Sequence, residues 1–358
     1  MRILRLYYLL PPKVGGMEKH IYELSLFQKK TYQTIVIFNY GNKIDNTDIQ
    51  LFKPIKLYKI RPLFIGITIF YIGVIIKLFF TNIKFDVIHI HGDWSSLLFT
   101  KMIKKLTSAK IVVFSMHGQL KNDFTHKTIL PQLVKKIDLI FSTGYETAQE
   151  LERRSGEKVF VQPSGIKEVF FENFERRWDH DDFTVITVAN LFPKKNIELV
   201  LEIAKELKEY KFWIIGDGNQ RNKLEQTIKE QDIKNVDLLG FTTPDKVKAY
   251  YQKSDCFLLT SFAEGTPTSA LEAMACGLPI VSSNAGGIDH IIQDYKNGFI
   301  IHDFDKIQYI NKLQLLKSDI ELRKIICKNN ALLATNYKWS KVAKTITKRT
   351  KECLNGKS

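Results

Sequence analysis

Two carboxylates stand alone in the run SFAEGTPTSALEAMACG, Ser261 to Gly277, which is otherwise small, polar or apolar. Glu264 and Glu272 are eight positions apart in a chain of 358 residues that carries 53 Lys and Arg against 38 Asp and Glu. A facing pair could act as acid and base, but eight helical residues at about 100° each leave the two side chains about 80° apart. The preceding FLLT is predicted to be a buried strand, SFAEG its exit, and Thr266 and Pro267 the cap and first position of a helix. Glu264 then sits at the carboxyl edge of a sheet, and Glu272 leans back toward the same opening from the second turn. Between them the free amides of Thr268 and Ser269, at the positive end of the helix, form a seat for phosphate. Carboxylates accept hydrogen bonds from vicinal hydroxyls, so the set suits a diphosphate with hydroxyls at both ends, as in a sugar nucleotide. The alternative makes Glu264 a capping group and Glu272 a surface residue.

A second anion site is suggested by Gly15 and Gly16 in LLPPKVGGMEKHIYEL, between a first strand and a helix expected to begin around Glu18. The spacing is not GxGxxG, and no ribose-binding acid follows the second strand, so a dinucleotide site is not indicated; a plain tight turn is the alternative. Asp179-His180-Asp181 has the form of a metal-binding DxD, but it precedes a strand, and ligands gather where strands end. It reads as linker. Cys256, Cys276, Cys327 and Cys353 are scattered, with neither zinc spacing nor a disulfide framework, which suits a reducing compartment.

These groups are positioned by alternating short apolar runs and longer amphipathic ones. ILRLYYLL, TIVIFN, DVIHIHG, KIVVFSMHG and LIFSTG form one series, and TVITVANL, KFWIIGDG, DCFLLTS and PIVSS a second. Uniformly apolar strands separated by helices imply parallel sheets covered on both faces. The series breaks near 165–182, so two doubly wound α/β domains are expected, residues 1–168 and 169–338, with a cleft between the carboxyl ends of their strands. A basic final helix, 339–358, follows and could lie across either domain.

EGTPTSALEAMACGLPIVSSNAGG resembles the E-x7-E signature and following loop of the family 4 retaining glycosyltransferases. Further pieces fall in that family's order: GGME at 15–18, DVIHIHG at 86–92, SMHG at 115–118, PSGI at 163–166, VANLFPKKN at 188–196, IIGDG at 214–218 and LLGF at 238–241. The resemblance implies the GT-B fold, two Rossmann-like domains, 1–168 and 169–338, facing across a cleft, with the final helix 339–358 crossing back onto the first. It also implies a UDP- or GDP-sugar donor, no cofactor and no metal. By it Glu272 would hold the ribose and Glu264 the transferred sugar, Lys195 would pair with the diphosphate, and Gly15 and Gly16 would close over it. His117 would lie beside the donor sugar. Asn190 stands where many members carry an arginine that shares the diphosphate, and Lys194 is a candidate substitute. Asp289 and His290 replace the family's Pro-Glu, and no role transfers to them.

Charge adds a partner. Residues 1–168 hold 25 basic against 13 acidic residues, 169–337 hold 21 against 24, and 338–358 hold 7 against 1. A basic first half and tail beside the apolar run PLFIGITIFYIGVIIKLFF, Pro62 to Phe80, suit peripheral association with an anionic membrane, at the cytoplasmic face where a lipid-linked acceptor would be met. That run is long enough to cross a bilayer, but strand-like segments on both sides argue for a buried or interfacial helix. The expected activity is sugar transfer to a glycan or lipid-linked acceptor in polysaccharide or lipopolysaccharide assembly. The alternatives are a nucleotide-sugar epimerase or phosphorylase, and a basic protein binding nucleic acid or membrane. No stacking platform or helix-turn-helix supports nucleic acid as a partner.

Overall fold

Apolar runs become two parallel sheets in a computed structural model that describes residues 1–12, 15–172, 178 and 182–356. Asp179, His180 and Asp181 lie outside the described residues. The first unit comprises Met1–Gly165 and the C-terminal helix, and the second Ile166–Lys338.

The first unit contains β1 (Arg2–Leu6), α1 (Gly16–Lys29), β2 (Gln33–Phe38), β3 (Ile49–Gln50), α2 (Leu63–Thr81), β4 (Val87–Gly92) and α3 (Thr100–Thr107). β5 (Ile111–Met116), α4 (Leu130–Val134), β6 (Leu139–Ser142), α5 (Tyr145–Ser155) and β7 (Val159–Val161) follow. All seven strands pair in parallel in the order β3-β2-β1-β4-β5-β6-β7. Every residue of β4 and β5 is buried, because helices cover both faces and no alternation is needed. α1 opens at Gly16, two residues before the expected start, with Gly15 in the cap position.

α2 is the apolar run expected to be buried or interfacial. It lies between β3 and β4 of one sheet and buries Ile67, Phe70, Tyr71, Val74 and Leu78. Its glycines allow the close approach: a side chain at Gly66 would strike the Leu57 carbonyl, and one at Gly73 the Phe52 ring. The opposite face leaves Ile72, Ile76, Phe79 and Phe80 in solvent, the last two 67% and 78% exposed.

The second unit contains β8 (Phe183–Val188), α6 (Ile197–Glu206), β9 (Tyr210–Ile215), α7 (Arg221–Glu230), β10 (Val236–Gly240), α8 (Pro244–Lys253) and β11 (Cys256–Leu259). It continues through α9 (Thr268–Ala275), β12 (Ile280–Ser283), β13 (Gly298–Ile301), α10 (Lys306–Ser318) and α11 (Ile320–Ala334). Its six parallel strands run β10-β9-β8-β11-β12-β13. α12 (Trp339–Asn355) belongs to the first unit, where Trp339, Val342, Ala343 and Ile346 join Leu24 of α1 and Ile111 of β5 in one apolar cluster. Both sheets therefore reverse strand order once, at β1/β4 and at β8/β11, and ligands of doubly wound folds bind at the carboxyl side of such reversals.

Candidate functional site

In the second unit the loops leaving β8 and β11 flank the strand-order reversal and are tied together. The Phe262 amide donates to the Lys194 carbonyl at 2.9 Å, and the Thr260 hydroxyl donates to the carbonyls of Lys195 and Asn196 at 3.2 and 2.9 Å. This lacing brings two residues far apart in sequence into contact: the Lys195 ammonium is ion-paired with Glu264 Oε1, which also accepts from Ser261 Oγ at 2.8 Å. Glu264 is buried and Lys195 nearly so, with 8% and 15% of their side chains exposed. The family resemblance implies separate tasks for these residues; in the fold they neutralise each other.

The loop leaving β12 closes the same place. Gly286 adopts a left-handed φ of 71°, and a side chain there would collide with the Gly265 carbonyl and Glu264 backbone. α9 begins at Thr268 with Pro267 in the cap position, so the expected Thr266 cap and Pro267 first turn each move by one residue. The first amides to find a helical carbonyl are those of Ala270 and Leu271, both to Pro267, which leaves Thr268 and Ser269 at the donor-rich helix end. Tyr251 donates to the Ser269 carbonyl at 3.0 Å, and burial followed by the nearby Glu272 carboxylate raises its phenol well above the ordinary value. Glu272 is half-buried in the second turn of α9. Asn190 and Lys194 are both exposed on the loop leaving β8.

In the first unit His117 follows β5 and stands beside the end of β4. It is joined there by residues the sequence did not single out. His91 Nδ1 lies 3.2 Å from His117 Nε2, the edge of His20 packs on His117 at 4.8 Å, and His89 stacks on His91 at 4.1 Å. Below them Arg5 is fully buried, bonded to Ser25, Gln28 and His89, and desolvation lowers its guanidinium to about 9. Desolvation holds all four imidazoles neutral, His117 down to about 3 and His20, His89 and His91 well below the ordinary value. His20, His91 and His117 each bring a ring nitrogen within 4.8 Å of the others. The motifs DVIHIHG and GGMEKH held these histidines in view, but only packing joins 20, 91 and 117. Gly15 caps α1, and a side chain there would strike the buried Glu18 carboxylate; Gly16 meets no such obstacle.

Residues 14–169 match the family described as Glycosyltransferase Family 4, and 168–332 match Glycosyl transferases group 1. The chain belongs to the family 4 glycosyltransferases. As a whole this glycosyltransferase is 22% identical over 348 residues to an uncharacterized glycosyltransferase of Methanocaldococcus jannaschii, covering 96% of this chain and 95% of that one. It is 28% identical over 242 residues to an amylovoran biosynthesis glycosyltransferase of Erwinia amylovora, covering 62% and 58%. With one component of the human phosphatidylinositol N-acetylglucosaminyltransferase it shares 27% identity over 306 residues, covering 79% and 62%. Among solved structures, sucrose-phosphate synthase of Thermosynechococcus elongatus superposes with a TM-score of 0.84 at 16% identity over 99% of both chains. HepE of Anabaena in complex with UDP-glucose gives 0.78 at 17% identity over 98% of this chain and 100% of its own. The fold is GT-B, and the glycosyltransferase is an enzyme of the transferase class.

Proposed function

We propose that this glycosyltransferase takes a sugar from a UDP- or GDP-sugar and transfers it, with retention of configuration, to a glycan or lipid-linked acceptor of cell-surface polysaccharide or lipopolysaccharide assembly. The observation that carries the reading is the Lys195–Glu264 pair on the loops that flank a strand-order reversal, where α9 follows with the amides of Thr268 and Ser269 ahead of its first bonded N–H groups among the described residues. A donor diphosphate satisfies that helix end and draws Lys195 from Glu264, which then accepts from a sugar hydroxyl. Glu272, one turn further along α9, takes the ribose. Asn190 adds a neutral donor on the same loop, and Gly15 and Gly16 bring the amide end of α1 to the diphosphate. His117 lies beside the sugar.

As the bond from the anomeric carbon to the phosphate oxygen breaks, charge grows on the diphosphate, where Lys195 and the α9 amides stabilise it. The acceptor oxygen forms the new bond on the same face, and its proton passes to the departing phosphate oxygen. Nucleoside diphosphate and the extended acceptor leave. Relatives named for amylovoran biosynthesis and as a component of a phosphatidylinositol N-acetylglucosaminyltransferase support an acceptor of this kind. The exposed apolar stripe of α2, in the more basic unit, supports peripheral attachment at the cytoplasmic face of the plasma membrane. The test is sugar transfer from a panel of nucleotide sugars: one donor is turned over, and Glu264→Ala abolishes most of that turnover. Donor consumption without an acceptor would favour an epimerase instead.

A further inference from the structure

The histidine cluster of the first unit fixes protonation states, and Arg5 sets the first. A guanidinium only donates, so His89 Nδ1, 3.3 Å from Arg5 Nη2, must be bare. The neutral His89 ring then carries its proton on Nε2 and donates it to Ser115 Oγ at 2.8 Å. His91, stacked on His89 at an interplanar angle of 27°, meets His117 through Nδ1 and Nε2 at 3.2 Å. That contact needs one proton, since two bare nitrogens or two N–H groups would repel.

Which ring supplies it follows from the far side of His91. Its Nε2 is buried and makes no hydrogen bond among the described residues. Were His117 the donor, neutral His91 would keep its proton on Nε2, leaving an orphaned N–H in the interior. With His91 as donor the stranded atom is a bare lone pair, the milder defect. Burial disfavours the charged form of both rings. His117 then holds its own proton on Nδ1, an atom that no hydrogen bond reaches among the described residues, and the ring is half-buried at the end of β5. The edge of His20 fixes the ring from another side, itself anchored by Ser164 Oγ at 2.9 Å and the edge of Trp339 at 5.2 Å.

We infer that His91 is a positioning residue that holds His117 in the Nδ1–H tautomer, so that His117 offers the donor sugar a neutral hydrogen-bond donor. The inference rests on the proposed place of His117 beside that sugar. A neutral donor can bind a sugar oxygen without setting a full positive charge against an anomeric carbon that is itself becoming positive.

Ring-nitrogen NMR of the full-length wild-type protein tests the tautomer directly, with the His117 signals identified by their loss in His117→Gln. The expected result is a pyrrole-type Nδ1 and a pyridine-type Nε2; a protonated Nε2 on His117 overturns the inference without any variant of His91. Turnover gives the second reading. Asparagine places an amide near the Nδ1 position and glutamine near Nε2, so His91→Asn should stay within about threefold of wild-type kcat. His91→Gln should lose about 100-fold, with donor KM little changed, as expected for a misplaced or wrongly protonated group. Equal kcat for the Asn and Gln variants contradicts the assignment. If His117→Ala leaves kcat intact while the spectrum shows the Nδ1–H form, the tautomer stands and the placement of His117 at the sugar falls.

Discussion

Lys195 and Glu264 are 69 positions apart, and each is the counter-charge the other needs in a nearly buried setting. The types of both residues were legible in the sequence, but their pairing was not, because it depends on loops 194–196 and 260–264 being laced across two strands. Removing one partner leaves the other charge nearly buried and unpaired, which costs more than removing both. Lys195→Met and Glu264→Gln should therefore each lose about 1–3 kcal/mol in urea denaturation. The double variant should lose less than the sum of the two singles. Under the proposed roles turnover should follow the opposite logic, with the double variant no more active than either single one, since the diphosphate and the sugar would each lose a partner. Additive losses of stability would show that the pair is not a unit.

At the scale of elements, the strands were the most legible feature, since helix-covered parallel strands read as unbroken apolar runs such as IVVFSM and FLLT. Helix starts were less so: α9 opens one residue late and α1 two residues early, because their ends are set by packing rather than by a capping side chain. α2 was legible in length and apolarity, while the division of its faces needed the fold. Seven of its residues are buried against the first sheet and its surroundings, and Ile72, Ile76, Phe79 and Phe80 form a stripe at helical spacing in solvent. Under the proposed membrane attachment this stripe enters the interface, where each phenyl ring adds about tenfold or more to partitioning. Phe79→Asp with Phe80→Asp should thus lower co-sedimentation with anionic vesicles by about 100-fold without lowering the thermal midpoint. Absence of wild-type binding at low salt would contradict the attachment.

Across the whole molecule, the two sheets repeat one plan, and polar clusters collect at the carboxyl ends of both, an acid–lysine set in one unit and a histidine set in the other. The histidine set was the least legible part, for His20, His89 and His91 read as ordinary residues until β1, β4, β5 and α1 bring them together. It also governs stability in acid. Burial puts the folded values of His20, His89, His91 and His117 below the unfolded value of 6.5, so below about pH 6.5 the unfolded chain binds protons that the native one refuses. Stability is full above that pH and falls beneath it, by about 1.4 kcal/mol per pH unit for each ring, with the share of His117 ending near pH 3. Urea denaturation at pH 7.5 and 5.5 should show the loss, and His117→Gln should show a slope smaller by about one proton. The donor site proposed in the second unit is tested most directly by turnover of UDP- and GDP-sugars with a lipid-linked or glycan acceptor. Stoichiometric nucleoside diphosphate and an acceptor one sugar heavier are expected, with activity lost on Glu264→Ala. An unchanged acceptor with every donor, or full turnover by the Glu264→Ala protein, would contradict it.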